Sequence, residues 1–149
     1  LGRVISEQRK NKAAIRAVLA GVRGIKFREM PDPDGDTATF LAFNLPSAAL
    51  TKKFQKVLAE NGVDTIYYKE NMWHYVPNWE HFLAQATASS TQYPFTDPCY
   101  KGKVVYRRED IPRAEDILGR TLVMPISVRM SKERLDVISR GVEKAARVL

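Results

Sequence analysis

Cysteine and histidine are scarce in this sequence, and long hydrophobic runs are absent from it. The single cysteine, Cys99, excludes a disulfide within the chain and fits the reducing cytoplasm. Two histidines and one cysteine are too few for a four-ligand zinc site. No stretch approaches the roughly 18 apolar residues that a membrane span needs, and no signal peptide is visible. These absences predict a cytoplasmic globular protein that binds neither metal nor membrane.

Sequence motifs of the common catalytic sites are also missing. The chain has no GxGxxG or GxxxxGKS phosphate loop, and no HExxH, CxxC or GxSxG spacing. His74 and His81 are seven residues apart, but Pro77 lies between them and argues against a shared helical face. Hydrogen-bonded histidines are therefore favoured over metal ligands, and the sequence assigns no catalytic residue.

The charge of the chain is strongly positive. A net charge of +7 and a pI near 9.6 are compatible with a nucleic-acid surface. However, basic clusters such as residues 9–12 and 101–103 are broken by acidic residues elsewhere, and no nucleic-acid-binding motif accompanies them. The pattern favours a solvated basic surface. A stand-alone basic module for nucleic acid or an acidic ligand stays open as an alternative.

Helical and strand-like patterns alternate along the 149 residues, which are enough for one domain. The clearest stripe is Leu50, Phe54, Val57 and Leu58, on a helix that begins at a Ser47 cap. Helices are predicted over residues 3–20, 47–61, 79–88, 112–118 and from a Ser131 cap to 149, and strands over 39–45, 63–68, 104–106 and 121–126. This order predicts an α+β sandwich, with helices packed on one small antiparallel or mixed sheet.

The segment from Met30 to Asp36 is dense in turn-forming residues, with two prolines, three aspartates and a glycine. Three nearby acids resemble a calcium loop at first sight. Pro33 interrupts the EF-hand spacing, however, and no glutamate closes it. The segment therefore predicts a hairpin-like turn.

Aromatic residues concentrate in one stretch, residues 67–81, which holds both tryptophans, both histidines and three of the six tyrosines. Such rings combine an apolar body with a polar tip, so they line pockets for polar ligands well. Pro77 favours a loop that presents side chains over one long helix. The composition leaves two alternatives open: a ligand pocket and an aromatic minicore under a long loop.

The order of several motifs resembles the C-terminal part of a sugar aminotransferase of the DegT/DnrJ/EryC1/StrS family, which has the type I aminotransferase fold. The basic helix of residues 1–12 and the helical pattern of residues 50–63 are similar to that family. His74-Tyr75-Val76-Pro77 resembles the first half of its His-Tyr-x-Pro-Leu-His segment. Residues 111–115 resemble its Phe-Pro-x-Ala-Glu motif, and residues 122–126 its Leu-Ser-Leu-Pro strand.

The resemblance implies that residues 1–149 are the small, substrate-side domain of a pyridoxal-phosphate enzyme whose large domain lies outside this chain. The implied reaction moves an amino group from glutamate to a nucleotide-linked or acidic keto sugar, as in lipopolysaccharide synthesis. The full-length enzyme is expected to be a homodimer. The chain begins at Leu1 within a predicted helix, which adds to the expectation of a piece of a longer protein. No lysine in this sequence matches the cofactor motif, so this chain alone is expected to be inactive.

Departures from the family pattern fall at expected substrate contacts. Asn78-Trp79 replaces the family's Leu-His, and this tryptophan-rich version is similar to the branch that acts on 8-oxo-octulosonate sugars. The resemblance thus predicts that Trp73, His74, Tyr75, Asn78 and Trp79 bind the substrate.

Arg129 is a further predicted substrate contact. Val128-Arg129 lies where the family commonly has a second proline. A guanidinium suits the carboxylate of an acidic sugar or of glutamate. The alternative is a surface arginine paired with Glu133 or Asp136, and the sequence leaves both open.

Overall fold

The computed structural model describes residues 1–102 and 105–149. None of the helices in these two ranges has the length and hydrophobicity of a membrane span. The helices are α1 (Gly2–Ala20), α2 (Ala48–Glu60), α3 (Glu80–Leu83), α4 (Pro112–Gly119) and α5 (Lys132–Ala146). The strands are β1 (Lys26–Phe27), β2 (Phe40–Asn44), β3 (Ile66–Tyr67) and β4 (Thr121–Pro125). The predicted α+β class is confirmed.

The four strands form one antiparallel sheet in the order β1-β2-β4-β3. Five residue pairs join the central strands β2 and β4, from Phe40 opposite Pro125 to Asn44 opposite Thr121. β3 pairs with β4 through Tyr67 opposite Leu122, so its carboxyl end lies beside the amino end of β4. The chain that follows β3 therefore leaves the sheet where β4 begins.

One face of the sheet carries the hydrophobic core. Alternate residues of a strand point to the same face, so Phe43 of β2 and Leu122 of β4 face the core together. Phe54 of α2 meets the ring of Phe43 edge-on at a centroid distance of 6.3 Å. Helices α1 and α5 add Ile15, Leu19, Ile138, Val142 and Ala145 to the same core. The predicted caps are also present, since Ser47 and Ser131 each accept a hydrogen bond from a helix N–H.

The predicted turn at residues 30–36 lies between β1 and β2, which pair as an antiparallel hairpin. Gly24, with a φ of 91°, precedes β1. The turn is held against α1 by Lys12, whose ammonium lies 2.6 Å from the Asp36 carboxylate. The predicted hairpin-like turn is confirmed, and one of its three aspartates forms an ion pair within the chain.

Several predicted boundaries need correction. The predicted helix over 79–88 is reduced to the four residues of α3, because the backbone reverses at Gln85, where φ is 53°. Residues 105 and 106 of the predicted strand 104–106 are irregular, and Val104 lies outside the described residues. α5 ends at Ala146, so Leu149 lies beyond the helix.

Helices α2 and α5 approach closely at Gly141. A methyl group added to this glycine would lie 2.8 Å from Cγ2 of Val63, a buried residue just after α2. Ordinary carbon contacts need about 3.5 Å or more. Glycine is therefore required here by space, although it is a weak helix former.

Candidate functional site

The aromatic segment, residues 67–82, begins in the sheet and is tied to it at once. Tyr67 is buried, and its hydroxyl donates a hydrogen bond of 2.8 Å to the carbonyl oxygen of Gly119 at the end of α4. Burial, followed by the charge of Glu70, raises the pKa of Tyr67. The segment thus starts from a fixed point between α4 and β4.

Tyr75 is the second anchor of the segment, with only 3% of the residue exposed. Its pKa is raised by burial first, and then by the charge of Glu115 and a hydrogen bond to that carboxylate. Glu115 also accepts a hydrogen bond of 3.2 Å from Lys69. The Tyr75 ring therefore packs inward against α4, and its role as a substrate contact stays a prediction.

Two further hydrogen bonds hold this loop, one within it and one from a distant residue. The side-chain amide of Asn78 donates to the carbonyl oxygen of Lys69 at 3.0 Å. Arg108 donates to the carbonyl oxygen of Pro77, which is itself buried. With these contacts the segment from residue 69 to 78 holds a defined shape, although its longest helical turn is only three residues.

Trp73 and His74, next to the exposed Met72, are among the side chains that this shape presents outward. The Asn71 carboxamide oxygen accepts hydrogen bonds from the backbone N–H of Trp73 at 2.7 Å and of His74 at 2.8 Å. Trp73 is 81% exposed, and the His74 ring meets Tyr68 edge-on at a centroid distance of 5.5 Å. An indole and an imidazole thus project from a braced turn, available to a ligand.

Trp79 leads into a cluster of rings. Its ring lies 6.2 Å from His81 and 5.8 Å from Phe82, and Phe82 contacts Tyr106 and Phe95 edge-on at 5.0 and 5.9 Å. The cluster borders an open cavity of about 780 Å³, whose lining includes His81, Phe82, Phe95, Tyr100 and Tyr106. Features of both alternatives left open by the sequence are therefore present in this region: a small aromatic cluster and a cavity beside it.

Phe95, Tyr100 and Tyr106 belong to this region although the sequence did not indicate it. They lie well downstream in irregular chain, and no periodic pattern connects them to the aromatic segment. The only available signal was their residue type, in a stretch also rich in proline and serine.

Arg129 is not brought together with the aromatic segment. It follows the carboxyl end of β4, whereas the aromatic segment lies at the amino end. Five strand residues separate the two ends, roughly 15 Å. No ion pair joins Arg129 to Glu133 or Asp136 in the described part of the chain. The five predicted substrate residues between 73 and 79 share one loop, and Arg129 lies elsewhere.

The chain was compared with protein family models and with solved structures. No protein family model matches the chain. Among solved structures, an aminotransferase, TlmJ from Streptoalloteichus hindustanus, is similar with a TM-score of 0.60 and 17% sequence identity. The similarity covers 95% of this chain and 31% of that protein. This likeness shows that the chain has the fold of one part of an aminotransferase.

Proposed function

We propose that this chain is the small domain of a pyridoxal-phosphate-dependent aminotransferase that transfers an amino group from glutamate to a keto sugar. The supporting observation is that nearly the whole chain, 95%, matches 31% of an aminotransferase. The rest of such a protein is long enough to form a large domain. We propose that this large domain packs against the chain described here. A cytoplasmic homodimer and a role in lipopolysaccharide or another cell-surface sugar complete the proposal.

The sugar class is supported by how two sequence motifs meet. Tyr75 belongs to the His-Tyr-x-Pro motif and Glu115 to the Pro-x-Ala-Glu motif, 40 residues downstream. In the fold the Tyr75 hydroxyl and the Glu115 carboxylate interact at the base of the aromatic segment, and this contributes to the raised pKa of Tyr75. Motifs identified separately by resemblance to the sugar aminotransferases therefore form one structural unit.

The residues present do not fit the cofactor itself. Pyridoxal phosphate requires a lysine amine, a partner for its ring nitrogen and a phosphate cup. Lys12, the buried lysine of the described residues, is held as a cation by Asp36 at 2.6 Å. Lys69 is likewise paired, with Glu115 at 3.2 Å. The cofactor site, with the groups that react there, is accordingly proposed to lie in the large domain.

The contribution proposed for this chain is a wall on the substrate side. The exposed indole of Trp73 offers an apolar face to the carbon-bound hydrogens of a sugar ring, and His74 offers a ring nitrogen to a hydroxyl. Asn78 and Trp79 continue this surface along the same loop. Tyr75 and Glu115 hold the loop from beneath, so the outward side chains keep their orientation.

The test uses the complete protein that contains this chain. We expect it to bind pyridoxal phosphate and to convert glutamate to 2-oxoglutarate over many turnovers only when a keto sugar accepts the amino group, with at most one equivalent per site without the sugar. A complete protein that binds no pyridoxal phosphate would overturn the proposal and favour the stand-alone basic module. For the isolated chain, treatment with pyridoxal phosphate and borohydride should give no stoichiometric adduct on one lysine. Such an adduct would contradict the placement of the cofactor in the large domain.

A further inference from the structure

We propose that a cleft between the start of α1 and the loop from β4 to α5 binds a small oxyanion, such as a phosphate or a carboxylate. The cleft, about 800 Å³, is lined by Arg3, Glu7, Arg129, Ser131 and Arg134, and we call it the arginine cleft. It lies at the end of β4 opposite the aromatic segment. The inference goes beyond the proposed function and does not depend on it.

The charges of the arginine cleft are unbalanced. Three guanidinium groups and the carboxylate of Glu7 line the cleft, and the carboxylate of Glu133 lies beside Ser131, which leaves a net charge of one positive unit among these side chains. The side chains of Arg3 and Arg129 make no hydrogen bond or ion pair with any described residue. Like charges around one cleft repel each other, and a bound anion would remove this cost. The remaining positive charge favours an anionic ligand.

The loop that carries Arg129 is fixed from beneath by two buried amides. Gln8 donates a hydrogen bond of 3.0 Å to the carbonyl oxygen of Ile126. Asn11 donates to the carbonyl oxygens of Ser127 at 2.9 Å and Val128 at 3.1 Å. Both amides belong to α1 and are 9% exposed or less. Because the loop backbone is already fixed, binding an anion needs to order only the arginine side chain and not the loop, which favours a preformed site.

Arg134 is fixed as well, because its Nη1 donates a hydrogen bond of 2.7 Å to the carbonyl oxygen of Gly62. Its other N–H groups remain for a ligand. The planar fork of each guanidinium matches two oxygens of a phosphate or carboxylate, which selects an oxyanion over chloride. The amino end of α5, capped by Ser131, adds a partial positive charge beside the cleft.

The experiment is an NMR titration of this 149-residue chain, labelled with nitrogen-15, with inorganic phosphate and with malonate at constant ionic strength. We expect saturable shifts at the arginine side-chain N–H groups of the cleft, with a Kd of about 10 mM or below. The Arg129→Ala variant should weaken binding about tenfold, and Arg129→Lys about threefold, because lysine keeps the charge without the fork. The Arg3→Ala variant should weaken binding similarly to Arg129→Ala.

Arg140→Ala is the matched control, because Arg140 is an exposed arginine on α5 that does not line the cleft. It removes the same charge and should leave binding unchanged. The spectrum of each variant without ligand reports whether its fold is intact. The proposal is overturned if phosphate and malonate give no saturable shift, or if Arg140→Ala weakens binding as much as Arg129→Ala. If a single-stranded oligonucleotide binds more tightly than phosphate or malonate, and the same variants lose that binding, the ligand of the cleft is nucleic acid and the small-oxyanion proposal is overturned.

Discussion

The ammonium nitrogen of Lys12 lies 2.6 Å from a carboxylate oxygen of Asp36, and the two side chains are only 9% and 20% exposed. The pair joins α1 to the turn between β1 and β2. The Asp36 carboxylate also accepts a hydrogen bond from the backbone N–H of Ala38. Since Lys12 is otherwise enclosed, removal of its partner would leave a charge without compensation.

We therefore expect Asp36→Ala to lower the free energy of unfolding by about 2 kcal/mol, measured by urea denaturation. The comparison is Glu70→Ala, which breaks the pair with Lys52, where both side chains are largely exposed. That change should cost less than about 0.5 kcal/mol. Equal losses of unfolding free energy in the two variants would show that burial of the Lys12–Asp36 pair does not increase its contribution to stability.

The same pair makes stability depend on pH on the acid side. Burial alone would raise the pKa of Asp36, but hydrogen bonds from Lys12 and Ala38, with the charges of Lys12 and Arg28, lower it below the ordinary aspartate value. Below about pH 4 the unfolded chain therefore binds a proton more readily than the folded chain, and stability falls as the pH falls. Above that pH the contribution is fully present.

Urea denaturation at several pH values measures this effect. The loss of stability between about pH 5 and pH 2 should be larger for the natural chain than for Asp36→Asn, which has no carboxylate to protonate. The other carboxylates are common to both proteins and cancel in the difference. Parallel pH profiles would rule out a lowered pKa at Asp36.

Two tyrosines should ionise later than an ordinary tyrosine. The pKa of Tyr67 and of Tyr75 is raised, in both cases mainly by burial. The folded chain thus holds these protons above about pH 10, where the unfolded chain has released them, so stability falls as the pH rises further. Tyrosinate absorbance in an alkaline titration measures this directly. The tyrosines that ionise above the ordinary pH form a late phase of this titration, and Tyr67→Phe and Tyr75→Phe should each remove one tyrosine from it. Loss of a tyrosine that ionises in the ordinary range would contradict the prediction.

Gly141→Ala should destabilise the chain, although alanine is normally the better helix former by about 1 kcal/mol. The added methyl group would lie 2.8 Å from Cγ2 of Val63, which is buried and has little room to move. We expect a lower thermal midpoint. Gly2→Ala is the control, because no heavy atom lies within 4 Å of its added methyl group. A stabilised Gly141→Ala variant would show that α2 and α5 separate easily.

Under the proposed function, His74→Ala in the complete protein should lower kcat/KM for the sugar about tenfold, by loss of one hydrogen bond, with normal cofactor content. Tyr75→Phe should lower the thermal midpoint, because its hydroxyl contacts Glu115 beneath the loop. His81→Ala, at the rim of the aromatic cavity, is the comparison for His74. If the two histidine variants lower kcat/KM equally, His74 makes no specific contact with the sugar.

Much of the fold could be predicted from the sequence, because its main elements have strong local patterns. The stripe and Ser47 cap of α2 and the apolar run of β4 gave bounds within one or two residues of those observed. The two residues of β1 have no pattern of their own and form a strand only through pairing with β2. The sequence places Lys12 in a basic run that is expected to be exposed. Its burial depends on Asp36, 24 residues later, and no local pattern indicates that contact.

The candidate site was less predictable, for a geometric reason. Sequence patterns identified Trp73 and Arg129 as chemically suitable, but they do not determine the end of the sheet at which each lies. That depends on the antiparallel pairing of β3 with β4, which sends residue 73 to the amino end of β4 and residue 129 to its carboxyl end. Likewise, Tyr75 is buried and interacts with Glu115 of α4, and its own neighbours in sequence gave no sign of this contact.

The two central strands come from distant parts of the chain, and this has a consequence for synthesis on the ribosome. Asn44 and Thr121, which face each other across β2 and β4, are 77 residues apart. β2 therefore has no central partner until β4 has left the exit tunnel, and α5 follows later still. Pairing at such a separation is slow. The nascent chain must keep Leu41 and Phe43 from other surfaces during that interval, so we expect truncation before residue 121 to yield aggregates.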